Sequence, residues 1–311
     1  SDLNALWAVD RDGGARQLAQ GSGINSPQLS PDEQWVAYRV YTNTGLQLWA
    51  VRWQGGEARL LLDDATLPTD RLPDGYERRA FSDSRWGPGN KALTIIMSLI
   101  PEPEIMAPER RELWQLNVET GALKFMNELG RAWRPYYAPD GQEYLVIEYG
   151  SEEDPQGAVT LRATEGGAAQ TALTFPASPG KLGYDAQVAW DSDGSAAWIA
   201  IPNADYGQPT PPNGTKLYRL DDTGQAQEVN EIDAFMVHWS PDGERMAYTR
   251  FISETLELNE LYLANADGTN PELYVTMTQG EFIGWSPSGK RFLYQDNYQI
   301  YAGAAGEAPR R

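Results

Sequence analysis

Residues 239–248 read Trp239-Ser240-Pro241-Asp242-Gly243-Glu244-Arg245-Met246-Ala247-Tyr248: an aromatic residue, a tight turn, then a short apolar run. Proline presets φ at the second turn position, Asp bonds locally to the backbone, and Gly takes the positive φ that closes the turn. The run after the turn is apolar and aromatic and too short for a helix, so the segment reads as two antiparallel strands joined by a turn. The same segment recurs at Leu29-Ser30-Pro31-Asp32-Glu33, Trp86-Gly87-Pro88-Gly89-Asn90, Tyr137-Ala138-Pro139-Asp140-Gly141, Trp190-Asp191-Ser192-Asp193-Gly194 and Trp285-Ser286-Pro287-Ser288-Gly289. The third positions of the six copies, 31, 88, 139, 192, 241 and 287, lie 57, 51, 53, 49 and 46 residues apart. A period near 50 in an all-β chain is the signature of propeller blades.

Each copy is followed by a further strand signal: Leu48-Trp49, Leu113-Trp114, Val159-Thr160, Leu217-Tyr218, Leu261-Tyr262 and Ile300-Tyr301. A Gly-bearing turn usually comes next, then a fourth short run such as Leu60-Leu61-Leu62 or Leu273-Tyr274-Val275. Four strands, A to D, make one blade. The expected fold is therefore an all-β, six-bladed β-propeller of four-stranded antiparallel blades, a single domain spanning residues 1–311. Leu6-Trp7-Ala8-Val9, Gly13-Gly14 and Arg16-Gln17-Leu18 read as a C–D hairpin ahead of the first blade. That hairpin is expected to close the array by supplying outer strands to the last blade, whose own D strand is doubtful. The alternative is seven blades, one of them partial.

The Trp-Ser-Pro-Asp-Gly turn, with Leu-Tyr or Leu-Trp about 20 residues later, resembles the repeats of TolB-like bacterial propellers. The match is clearest at Trp239 to Gly243 with Leu261-Tyr262 and weakest around Trp86 and Trp190. The resemblance implies a periplasmic or extracellular protein of the cell envelope that receives another protein or a peptide on its propeller. Related repeats also occur in peptidase propellers and in a few lyases.

Composition narrows the partners. The chain has no Cys, which removes disulfides, thiolate nucleophiles and zinc-thiolate sites. Net charge is −19, which opposes nucleic acid and anionic lipid as partners. No apolar run approaches the roughly 20 residues of a membrane helix, so no membrane insertion is expected. The chain is expected to act as a monomer.

Chemistry is sparsely signalled. The single histidine, His238, sits on a strand A beside Trp239. It has no Gly-x-Ser-x-Gly elbow to serve, and one histidine cannot furnish a multi-histidine metal site. No catalytic residue and no cofactor is expected; an oxygen-ligated calcium is the one cation option weighed. Asp83, Asp185 and Arg134 stand near the starts of A strands, which line a propeller's central channel. Carboxylate catalysis there would need two carboxylates converging at about 5 to 10 Å. The long connections, 63–79, 99–110, 150–157, 202–215 and 253–259, fall at B–C and D–A positions and should share one face. They carry exposed-looking apolar residues, Ile100, Ile105, Met106 and Tyr206 among them. Long insertions on one face mark the binding face of a propeller. The reading is a non-catalytic protein- or peptide-binding propeller. The alternatives are a carboxylate-dependent hydrolase or lyase acting at the channel mouth, and a structural or sensory domain of a larger membrane-anchored protein.

Overall fold

The computed structural model describes residues 4–10, 12–87, 92–105, 107–148, 150, 156–176, 186–202, 214–234, 236–253, 257–286 and 288–307. Among them the secondary structure is β throughout, apart from a single 3-10 turn at Asp64–Thr66. The fold is a six-bladed β-propeller, one blade for each copy of the turn. An N-terminal hairpin, β1 (Asn4–Val9) and β2 (Ala15–Gly21), precedes the blades. Blade 1 is β3 (Ile24–Leu29), β4 (Trp35–Thr42), β5 (Gly45–Arg52) and β6 (Arg59–Asp63). Blade 2 is β7 (Tyr76–Trp86), β8 (Ala92–Pro101), β9 (Arg110–Asn117) and β10 (Leu123–Gly130). Blade 3 is β11 (Pro135–Tyr137), β12 (Glu143–Glu148), β13 (Gln156–Ala163) and β14 (Gln170–Pro176). Blade 4 is β15 (Gln187–Trp190), β16 (Ala197–Pro202), β17 (Thr215–Leu220) and β18 (Ala226–Ile232). Blade 5 is β19 (Met236–Trp239), β20 (Arg245–Ser253), β21 (Leu258–Asn265) and β22 (Glu272–Thr278). Blade 6 is β23 (Glu281–Trp285), β24 (Arg291–Asp296) and β25 (Gln299–Ala304). Blades 1 to 5 are four-stranded antiparallel meanders; among the described residues blade 6 has three laddered strands.

The expected closure differs. β1 and β2 pair with each other as a separate two-stranded sheet, and β25 pairs with β24 alone. The ladder expected between residues 6–18 and 292–301 is therefore not found among the described residues. The hairpin's apolar face has another outlet. Leu6, Ala8 and Leu18 bury against Val36, Tyr38 and Val51 of blade 1, and Arg16 donates to the Trp53 carbonyl from Nε at 3.0 Å and Nη2 at 2.8 Å. Hydrophobic burial fixes the hairpin here, where strand pairing was expected to do so.

The repeated turn behaves alike at each copy where it is described. Its first residue donates to the carbonyl five residues on: Ser30 to Trp35, Ala138 to Glu143, Asp191 to Ala196, Ser240 to Arg245 and Ser286 to Arg291. The residue three further along donates back to it, and that residue has positive φ: Gly141, Gly194, Gly243 and Gly289. Blade 1 puts Glu33 there, at φ +56°. Turn hydroxyls and amides in turn lower the carboxyls of Asp32, Asp193 and Asp242 below the ordinary range; the leading partner is the Ser30 hydroxyl, the Ser195 amide and the Ser240 hydroxyl respectively.

The aromatic residue before the turn links neighbouring blades. Indole Nε1 of Trp86 donates to the Gln28 carbonyl at 3.0 Å, Trp190 to Tyr136 at 3.0 Å and Trp285 to His238 at 2.9 Å. Each bond runs from one A strand to the A strand of the blade before it. Trp239 instead donates to Ala266 within its own blade and stacks on Trp198 of blade 4.

The chain divides into two compact units, Ser1–Arg134 with Thr164–Gly166, and Pro135–Ala163 with Gly167–Arg311. In the first, Leu48 and Leu62 of blade 1 pack on Phe81, Leu93, Ile95 and Met97 of blade 2. In the second, three clusters fill the spaces between blades 3 and 4, 4 and 5, and 5 and 6. The core is thus divided among the sheet-to-sheet interfaces, as face packing of successive sheets requires.

A side chain with Cβ in the left-handed region is strained by about 1–2 kcal/mol. Glu33→Gly should therefore stabilise the protein by up to about 1 kcal/mol after glycine's own entropy cost, read as a raised urea midpoint. An unchanged or lowered midpoint would show that the Glu33 side chain compensates its backbone.

Candidate functional site

Two of the long connections are described almost completely, and both belong to blade 2. The 63–79 connection leads from β6 into β7, and the 99–110 connection joins β8 to β9. They are bonded to each other: Glu102 donates its amide to the Gly75 carbonyl at 3.0 Å, and the Tyr76 hydroxyl donates to the Pro108 carbonyl. Ile105 lies against Gly75. The expectation that D–A and B–C connections share a face holds for this pair.

A buried ion pair anchors the first connection. Arg79 on β7 and Glu112 on β9 are both almost fully buried. Arg79 donates from Nε to Glu112 Oε2 at 2.6 Å and from Nη2 to Oε1 at 3.2 Å. Its Nη1 donates to the carbonyls of Pro68 at 2.7 Å and Asp70 at 3.0 Å. Trp114 Nε1 donates to Glu112 Oε2 at 2.8 Å, and the guanidinium lies 5.2 Å from the Trp114 ring centre. One side chain thus ties sheet to loop. At the other end Asp63 caps the 3-10 turn through Ala65, and Asp64 accepts the Phe81 amide at 2.7 Å.

The anchored connection overhangs a cleft of about 520 Å³. Pro68, Asp70, Arg71 and Pro73 form one wall. Trp114 and Phe125 form the other, edge to face with ring centres 5.4 Å apart. Arg79, Glu112, Leu123 and Glu128 complete the lining. Phe125 is 45% exposed, although aromatic rings are normally buried. Rigid prolines, an open aromatic edge and charges of both signs suit an extended polypeptide with mixed side chains.

A second cavity of about 300 Å³ lies between the A strands of blades 4, 5 and 6. His238 lines it with Gln187, Trp239, Phe282 and Trp285. The imidazole stacks on Phe282 with ring centres 4.9 Å apart, and burial holds its pKa down at about 4. It is neutral at physiological pH, and among the described residues no carboxylate or serine hydroxyl lines the cavity.

The sequence-predicted residues fare unequally. Asp83 on β7 is taken up by Arg39 of blade 1 in an ion pair, with Arg85 Nε 3.4 Å from its other oxygen and the Ser84 amide donating at 2.9 Å. It joins blades 1 and 2. Arg134 is half-buried. Ile100 on β8 is half-buried and Ile105 exposed; both lie in the 99–110 connection and neither lines the blade 2 cleft. Asp185, Met106 and Tyr206 lie outside the described residues. The expectations missed Arg79, Glu112, Trp114 and Phe125. A signal was present: Glu112 alternates with Trp114 and Leu116 along β9, which places a carboxylate on a buried face and demands a partner. Among the described residues no group of three His, Cys, Asp or Glu could hold a metal ion. No described helix is long and apolar enough to cross a membrane.

No protein-family model matches the sequence, and no curated protein matches it. Solved structures do. An oligogalacturonate lyase in complex with manganese aligns at 15% identity and a TM-score of 0.64, over 95% of this chain and 81% of that one. An acylaminoacyl peptidase from Pyrococcus horikoshii aligns at 14% identity and a TM-score of 0.62, over 99% of this chain but 48% of the peptidase. TolB from Acinetobacter baumannii aligns at 17% identity and a TM-score of 0.49, over 85% of this chain and 57% of that one. At these identities the likeness is one of fold.

Removing one partner of a buried ion pair typically costs about 3–5 kcal/mol. Glu112→Ala should therefore lower unfolding free energy by about 3–5 kcal/mol and expose the 63–75 connection to limited proteolysis. A loss under about 1 kcal/mol would mean water reaches Arg79 and the loop is held by other contacts.

The His238 pKa sets a second test. In the unfolded chain this histidine titrates near 6.5, so on acidification the unfolded state takes up the proton first. Its contribution is fully present above about 6.5 and is lost as pH falls toward about 4. Urea midpoints should decline across that window in the parent and stay flatter in His238→Gln. Parallel profiles would show that the ring is hydrated in the folded state.

Proposed function

We propose that this protein is a non-catalytic binding propeller of the bacterial cell envelope, and that it takes a peptide or an extended segment of another protein in the blade 2 cleft. One observation carries the reading. The 63–79 and 99–110 connections are bonded together and anchored by a buried arginine over an open cleft with an exposed aromatic edge. A loop already held in place loses little conformational entropy when a ligand arrives, which is the condition for useful affinity from a modest cleft. Net charge of −19 favours a neutral or basic ligand over an acidic one. The envelope location rests on the repeat's resemblance to TolB-like propellers.

The enzymatic alternatives draw on fold likeness to the lyase and the peptidase, and fold does not carry function. Two of the described carboxylates are committed to neighbours: Asp83 to Arg39, and Glu112 to Arg79 and Trp114. Incubation with oligogalacturonate and manganese, or with an acylated peptide, should give no turnover above the protein-free control.

Peptides enriched from a random display library on the immobilised protein provide the direct test. Their affinity should fall about tenfold or more in Phe125→Ala, and stay within about threefold in His238→Gln. Failure to enrich any peptide, or enriched peptides that respond to His238→Gln and ignore Phe125→Ala, would overturn the reading.

A further inference from the structure

Arginine side chains in this protein repeatedly lie on aromatic rings. The guanidinium of Arg52 stands 3.9 Å from the centre of Trp35, that of Arg111 3.9 Å from Trp133, and that of Arg219 4.7 Å from Trp198. A guanidinium is planar and weakly hydrated, so it can stack on a ring and keep its N–H donors for acceptors beside the ring. Arg79 shows the full arrangement. The cation lies over Trp114 while its donors go to Glu112 and to two loop carbonyls. Arg219 repeats it in blade 4, over Trp198 and with Nη1 donating to Asp191 at 2.9 Å.

Phe125 has similar surroundings. It meets Trp114 at an interplanar angle of 78°, so that contact occupies at most one of its two faces. It is 45% exposed, and among the described residues no guanidinium lies over it. Asp70 lines the same cleft and is exposed, and its carboxylate has no ion-pair or hydrogen-bond partner among the described residues. Arg79 holds the Asp70 carbonyl, so the carboxylate is presented from a fixed stretch of backbone. Arg79 and Glu112 neutralise each other. Beyond that pair the lining carries two carboxylates, Asp70 and Glu128, and one cation, Arg71, in a chain of net charge −19.

We propose that the blade 2 cleft selects an arginine side chain of its ligand, with the guanidinium stacked on Phe125 and its donors directed to Asp70. The inference rests on the cleft being a peptide site and specifies which side chain that site reads. Burying a cation is costly unless it is paired, and here ring and carboxylate supply the partners. Lysine is the poorer fit, because its ammonium is a compact, strongly hydrated charge with no flat face to lay on a ring.

The probes are the peptides enriched from the display library on the full chain. Sequencing should show arginine at one position well above its frequency in the starting library. In a synthetic copy of the dominant peptide, replacing that arginine by norleucine removes the charge and keeps an aliphatic stem. It should weaken binding about tenfold or more, and replacement by lysine about threefold or more. Asp70→Asn should cost the arginine peptide about fivefold more than its norleucine form. Peptides that depend on Phe125 yet share no arginine, or that bind equally well with norleucine or lysine in its place, overturn this inference and leave the cleft reading standing. An Asp70→Asn loss of equal size for both peptide forms overturns it as well. A pool that never enriches overturns both.

Discussion

The indole hydrogen bond from one blade to the carbonyl of the blade before it is the contact on which the architecture rests. Successive sheets in this fold present faces to one another, and faces alone slide. Apolar packing is strong but has no direction. A donor on a rigid ring, aimed at one carbonyl, fixes the offset between sheets to a fraction of a strand spacing. Trp86, Trp190 and Trp285 do this in three blades, and each also fills the space between the sheets it joins. Where the bond is directed elsewhere, at Trp239, ring stacking on Trp198 takes over. Blade 3 has tyrosine at the turn position; there the neighbouring Tyr136 hydroxyl donates to the Ala186 carbonyl at 2.6 Å.

That arrangement explains how much could be read in advance. The turn, the B strand and the C-strand dipeptide are local in sequence and obey short-range rules, so all six copies were visible, including the one with Glu33 in place of glycine. D strands were harder. β18 runs Ala226-Gln227-Glu228-Val229-Asn230-Glu231-Ile232, mostly exposed, and buries little beyond its last residue. Such a strand is specified by the edge it covers. The fate of the N-terminal hairpin was least legible. Its C–D character was plain, but choosing between pairing with the last sheet and packing on the first is a contest between distant partners.

The candidate site divides the same way. Loop length and proline content pointed to the 63–79 connection, which lines the cleft. They did not point to Arg79, whose role depends on a carboxylate 33 residues away on a different strand, nor to Phe125, which looks like any D-strand residue until Trp114 is set beside it. Asp83 was singled out as a channel group because its place in the repeat suggested it. Its actual partner, Arg39, belongs to a different blade, and an ion pair between blades has no sequence signature.

Arg79 holds the overhanging connection by the carbonyl oxygens of Pro68 and Asp70. Carbonyl oxygens are common to every residue type, so the clasp does not register which side chains the connection bears. Substitutions at Asp70 or Arg71 change the lining of the cleft while the anchor goes on gripping the same atoms. Side-chain chemistry and scaffold are thereby assigned to different parts of the same stretch of chain. A lineage carrying this blade could alter the cleft's surface chemistry by single exchanges, without passing through an unfolded intermediate form.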